Sequence, residues 1–183
     1  MKHTILGTSL IEPAPAGMET IYFGMGCFWG AERKFWSLPG IYRTSVGYAG
    51  GELPEPDYRS VCSGTTGHAE IVEVVYNPQE ADLRLLFKTF WESHDPTQGM
   101  RQGNDRGSQY RSIIITTTDE QKRLAEETCE QLQPLLTEKG FPQITTEITS
   151  NHPYTLAEEY HQQYLDKNPH GYCGLGGTGV CLA

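Results

Sequence analysis

Apolar residues in this chain recur with two periods, and the expected elements follow from them. Thr20-Ile21-Tyr22-Phe23-Gly24 is a short apolar run of strand character, and Ala69 to Tyr76 (AEIVEVVY) is β-branched up to its stop at Asn77-Pro78. Ile41 to Tyr48, Arg111 to Thr117 and Ile144 to Thr149 predict three further strands. Helical spacing appears at Leu83, Leu86, Phe87, Phe90 and Trp91, and Ala31 to Trp36 is helix-compatible. Thr118 with Gln121 three residues on predicts a capped helix to about Lys139, where Gly140 and Pro142 end it. Leu156 to Leu165 predicts a short polar helix closed by Asn168-Pro169. The order strand–helix–strand–strand–helix–strand, then further helix and strand, predicts an α+β domain, a two-layer α/β sandwich with a ferredoxin-like core.

Four stretches break this periodicity. Residues 1–19, with Pro13, Pro15 and Gly17, read as an extended arm that wraps or precedes the domain. Residues 50–68 are rich in Gly, Pro and Ser, too long for a tight turn and therefore a candidate binding loop. A second polar loop runs from His94 to Tyr110. The tail from Gly171 to Leu182 is so dense in glycine that it should be irregular and mobile. No internal repeat is visible. The expected organisation is an N-terminal arm, 1–19, and one catalytic domain, 20–183, that includes the cysteine-bearing tail 171–183.

Composition narrows the classes of function. A chain of 183 residues buries a sizeable core without disulfides. Lys and Arg total 14 against 23 acidic residues, and a formal charge of −9 offers no general footprint for nucleic acid or an anionic membrane. No apolar run approaches the ~20 residues of a membrane span. Met1 to Gly7 lacks the apolar core of a secretory signal, so the expected location is cytoplasmic. Cys27, Cys62, Cys129, Cys173 and Cys181 make an odd count with no Cys-x-x-Cys spacing, which points to reactive thiols rather than a disulfide scaffold or a zinc site.

Gly26-Cys27-Phe28-Trp29-Gly30 carries the strongest chemical signal. A lone cysteine is usually inert core. Here glycines flank it, at the join of a predicted strand and helix, where unpaired amides and the helix dipole favour thiolate. Phe28 and Trp29 would open that nucleophile onto an apolar pocket suited to a small uncharged group. Cys173 and Cys181 on a glycine-rich tail can meet a distant thiol and then each other, as a thiol relay requires. Glu70, where loop meets strand, is either an exposed carboxylate or a partly buried acid able to donate a proton at neutral pH. Tyr58 and Tyr110 could donate phenolic hydrogen bonds from the two loops. Asp105 could orient a substrate or satisfy a turn, and His68 and His94 could be bases.

Together these stretches resemble the A-type peptide methionine sulfoxide reductases. The resemblance rests on GCFWG, Thr66-Gly67-His68-Ala69-Glu70, His94-Asp95-Pro96-Thr97-Gln98 with Arg101-Gln102-Gly103-Asn104-Asp105, Gln109-Tyr110-Arg111-Ser112, and Asn168-Pro169 followed by Gly171-Tyr172-Cys173. It covers about Tyr22 to Cys181. It implies that Cys27 attacks a sulfoxide sulfur, that Glu70 is the acid, and that Tyr58 and Tyr110 hold the oxygen. Phe28 and Trp29 would clasp the S-methyl group, and Asp105 would meet the substrate's backbone side. Cys27 would be left as sulfenic acid, which Cys173 resolves as a disulfide and Cys181 then relays. Thioredoxin as reductant, oxidised proteins and free methionine sulfoxide as substrates, and selectivity for the S epimer are likewise implied. No cofactor or metal is called for, and a monomer is expected.

Glu55 and Asp57 depart from the pattern, since the family more often has Asn and Thr there. Cys62 and Cys129 match no role in the relay. Two other readings remain at this point. A Cys-His hydrolase or acyltransferase would use His68 or His94 as base and leave Cys173 and Cys181 idle. A non-catalytic module would bind methionine sulfoxide, or hold zinc, without turnover. The arm lies outside the resemblance, so deletion of residues 1–18 should leave single-turnover chemistry intact in protein that still folds.

Overall fold

A computed structural model describes residues 1–182; Ala183, the last residue of the expected tail, lies outside the described residues. The strands and helices are β1 (Glu19–Met25), α1 (Phe28–Phe35), β2 (Ile41–Ala49), α2 (Tyr58–Cys62), β3 (Ala69–Tyr76), α3 (Leu83–Ser93), the short pair β4 (Arg101–Gln102) and β5 (Asp105–Arg106), β6 (Ser112–Thr116), α4 (Asp119–Glu138), β7 (Glu147–Ser150), β8 (Tyr154–Leu156) and α5 (Tyr164–Lys167). The main sheet has the order β7-β6-β1-β3-β2-β8. Its four central strands are antiparallel in the order fourth, first, third, second of a ferredoxin-like βαββαβ unit. α4 then crosses over to bring β7 parallel to β6, and β8 extends the opposite edge.

Alternation along β1 explains how the two faces are filled. Ile21, Phe23 and Met25 face the helices, where Phe23 meets Phe35, Phe87 and Phe90 at ring centroid distances of 5.0, 5.8 and 5.1 Å. Trp91 and Thr128 tie α3 to α4 through a 2.9 Å bond donated by the indole. On the other face, Ala49, Ala69, Ile71, Ile113 and Ile115 form a second cluster with Tyr22 and Tyr154. The Tyr22 and Tyr154 rings lie 5.1 Å apart although β3 and β2 separate their strands, a span of about 14 Å in a flat sheet. The sheet therefore curls, and curling buries its second face without another layer of helices.

The expected helix from Leu156 to Leu165 is not one element. Leu156 ends β8, Glu159–His161 is a 3-10 turn, and Gln163 sits at φ 47 before α5. The cause is a buried carboxylate. Glu32 on α1 is fully buried and accepts from the Gln163 backbone and side chain, each at 2.8 Å, and from Thr44 at 2.7 Å. Gln163 adopts a left-handed conformation that directs both donors to Glu32. The arm joins the same cluster, since the buried His3 ring bonds Thr44 at 2.7 Å, and Arg43 donates to the Ser9 and Glu12 carbonyls.

Strand β7 also begins later than the expected Ile144, because the Ile144 and Thr145 amides are taken by Gln133 and by the Pro96 carbonyl. From Gly171 to Leu182 the tail carries neither helix nor strand. Its end is pinned to α3, where the Leu182 amide donates to Glu92 at 2.9 Å and Lys88 donates to the Leu182 carbonyl at 3.0 Å. No helix among the described residues is long and apolar enough to cross a membrane.

Removing the Glu32 carboxylate strands several buried donors. Glu32→Ala should therefore lower stability by about 3 kcal/mol, read as a fall in the urea midpoint with unchanged slope.

Candidate active site

The bends between elements bring the candidate residues together. Gly26, at φ +102, turns the chain out of β1 so that Cys27 caps α1 and Phe28 and Trp29 form its first turn. β3 lies beside β1 and supplies Glu70 as its second residue. The loop 50–68 holds a short helix that periodicity did not reveal, α2, with Asp57 as its cap and Tyr58 as its first residue. Asp105 comes from the β4–β5 hairpin and Tyr110 from the 3-10 turn before β6.

Cys27, Phe28, Trp29, Tyr58, Glu70, Asp105 and Tyr110 all line one cavity of about 130 Å³, together with Tyr172 from the tail. That is room for about four waters, enough for a small branched group at the end of a side chain and too little for a nucleotide or sugar. A larger hollow of about 670 Å³ opens beside residues 50–54 and 65–67, but none of the chemistry-bearing residues lines it.

Glu70 is only 2% exposed and accepts a 3.1 Å bond from the Phe28 amide. Burial pushes its carboxyl up to about 8, opposed by that amide and reinforced by Asp105, so it is protonated at neutral pH. Burial also raises the Tyr58 and Tyr110 phenols, which stay hydroxyl donors. Cys27 behaves differently from the helix-terminus expectation. The Trp29 and Gly30 amides do pull its pKa down, but its side chain makes no cap hydrogen bond. Burial and then the Glu70 carboxylate outweigh the amides and push the thiol up to about 12.

Cys173 lies against α1, outside the cavity lining. A Cβ on Gly30 would lie 2.7 Å from its Sγ, so only glycine at that position of α1 leaves space for the second thiol. Cys181 is exposed beside the Leu182 anchor on α3, outside the cavity lining. All five cysteines are free.

Neither histidine considered as a base is available to Cys27. His68 accepts from the Gly51 amide and donates to the Leu53 carbonyl, closing the loop on itself. His94 is wholly buried, with one ring nitrogen on the Phe90 carbonyl and the other on Ser112.

The residues that brace the pocket escaped the sequence reading. His161 accepts a 3.0 Å bond from the Trp29 indole and packs against Phe28, Trp29 and Tyr58. Tyr164 stacks on Trp29 at 3.8 Å. Glu158 holds the Tyr58 amide and the Tyr48 hydroxyl. Tyr172, which lines the cavity, had one available signal, its position next to Cys173.

Comparison with known proteins finds relatives over nearly the whole chain. The family model described as peptide methionine sulfoxide reductase matches residues 19–178. The peptide methionine sulfoxide reductase MsrA of Pseudomonas aeruginosa is 59% identical over 180 residues, which cover 98% of this chain and 84% of that protein. The structure of methionine sulfoxide reductase A of Corynebacterium diphtheriae superposes with a TM-score of 0.87 at 50% identity, over 98% of this chain and 87% of that one. Mxr1 from Saccharomyces cerevisiae in complex with Trx2 aligns with a TM-score of 0.57 at 26% identity, over 93% of this chain and 96% of that one.

The coupling of Cys27 to Glu70 has a direct consequence for alkylation. Above pH 8 the wild-type carboxyl is ionised and opposes thiolate, so Glu70→Gln should alkylate at Cys27 about tenfold faster at pH 9. At pH 6, with Glu70 neutral, the two proteins should react alike. Peptide mass spectrometry of Cys27 after timed iodoacetamide exposure measures both.

Proposed function

This chain belongs to the peptide methionine sulfoxide reductase family, and on that premise we propose how its own residues reduce methionine sulfoxide, free or in proteins, to methionine. The observation that carries the proposal is the meeting of a thiol, a protonated carboxyl and two phenols around one small, partly apolar cavity. Cys27 is the nucleophile. Phe28 and Trp29 clasp the S-methyl group, Tyr58 and Tyr110 donate to the sulfoxide oxygen, and Asp105 meets the backbone side of the substrate.

Sulfoxide oxygen is a poor leaving group until protonated, and Glu70 supplies the proton as the Cys27 sulfur attacks. The Phe28 amide bonds Glu70 Oε1, which leaves Oε2 to carry the proton toward the cavity. The thiol's own proton restores Glu70, so no net proton is consumed. Attack forms a bond from the Cys27 sulfur to the substrate sulfur as the protonated oxygen departs. That hydroxyl oxygen then attacks the Cys27 sulfur, and the sulfur–sulfur bond breaks with its electron pair on the substrate. Methionine leaves, with Cys27 as sulfenic acid. This exchange lets a thiol with a raised pKa react, because its proton departs as that of Glu70 is spent.

Cys173 then attacks the sulfenic sulfur, forming the Cys27–Cys173 disulfide and releasing water. Cys181 attacks Cys173 and frees Cys27, leaving Cys173–Cys181 on the tail for external reduction. Thioredoxin is the proposed reductant, supported by the complex that yeast Mxr1 makes with Trx2. Fixed sites for methyl and oxygen would admit one epimer at sulfur, the S form by likeness to A-type relatives. The proposed unit is a cytoplasmic monomer in which residues 20–183 form the catalytic domain and the arm stabilises it.

The pH dependence tests the acid. Methionine formation in a single turnover should fall as pH rises through about 8, where Glu70 loses its proton. Glu70→Gln should slow that step by about 10²- to 10⁴-fold and flatten this limb. An unchanged rate would remove Glu70 from the mechanism.

A further inference from the structure

Resolution of the sulfenic acid requires the Cys173 thiol to arrive in line with Cys27, yet Cys173 lies in a tail without helix or strand. Among the described residues, the one side-chain hydrogen bond made by positions 172–177 comes from Tyr172, whose hydroxyl donates to Asp105 at 3.2 Å. That bond spans the cavity from the tail to the β4–β5 hairpin. Two glycines shape the same seat. Gly30 leaves space for Cys173 Sγ on α1, and Gly174 leaves space for Tyr172, because a Cβ there would collide with the Tyr172 hydroxyl.

Resting on the reductase reading, we propose that Tyr172 is a positioning residue for the second half of the reaction, seating Cys173 beside Cys27 through its bond to Asp105. The step it serves is Cys27–SOH plus Cys173–SH giving Cys27–S–S–Cys173 and water. Without the Tyr172 bond the resolving thiol samples more of the tail's conformations, and sulfenic acid persists longer. Because Asp105 also faces the substrate's side of the cavity, one carboxylate serves both halves of the cycle.

The test is a single-turnover reaction without reductant. Methionine formation and Cys27–Cys173 formation are followed in the same quenched samples, with dimedone trapping Cys27 sulfenic acid. In Tyr172→Phe, the ratio of disulfide rate to methionine rate should fall about tenfold, and dimedone adduct at Cys27 should accumulate. Gly174→Ala should do the same from the other side. Gly174 has no positive φ, so alanine suits its backbone, and its new methyl displaces the Tyr172 ring. An unchanged ratio in both variants would overturn the proposal. So would a parallel slowing of both steps, which would make Tyr172 a substrate contact. Wild-type protein that forms no methionine would instead contradict the reductase reading itself.

Discussion

The Phe28 amide donating to Glu70 over 3.1 Å is the bond on which the site depends. It joins the first turn of α1 to the start of β3 across 42 residues of sequence. An unpaired amide at a helix N-terminus needs an acceptor, and a buried carboxyl needs a donor, so each answers the other's cost. One bond is too few to keep the carboxyl ionised against such burial, and a neutral acid at physiological pH is the result. The same contact holds Cys27, one residue away, within reach of that acid.

Around this bond the fold supplies rigidity at some distance. Glu32, on the same helix as the nucleophile's cap, gathers Thr44, Gln163 and the His3 edge of the arm into one buried cluster. The left-handed residue Gln163 lies two positions past His161, the last residue of its turn, and Tyr164 comes next. His161 and Tyr164 fix the Trp29 ring, while Glu158 fixes the first residue of α2 and with it Tyr58. The aromatic walls of the cavity are therefore braced from one short segment, which is itself set by a carboxylate on the catalytic helix.

Much of this was legible in the sequence where a local signal existed. The core strands announce themselves because β1 and β3 are buried over most of their length and rich in apolar residues, and α4 begins at its Thr118 cap. The cavity residues were legible as types in motifs. What local pattern could not express was the left-handed turn at Gln163, because its cause is Glu32, 131 residues away. The braces His161 and Glu158 were hidden for the same reason. The position of Cys27 at a helix terminus is written in the local motif, but its electrostatics depend on distant burial. Burial beside Glu70 reverses the thiolate preference that exposed amides would confer.

The account turns on a sulfoxide oxidising Cys27 and on the tail thiols resolving it. The most direct test mixes fully reduced protein with methionine sulfoxide and no external reductant, quantifies methionine, and maps disulfides by non-reducing peptide mass spectrometry. The account predicts methionine together with a Cys27–Cys173 or Cys173–Cys181 linkage. No methionine and five free thiols would contradict it.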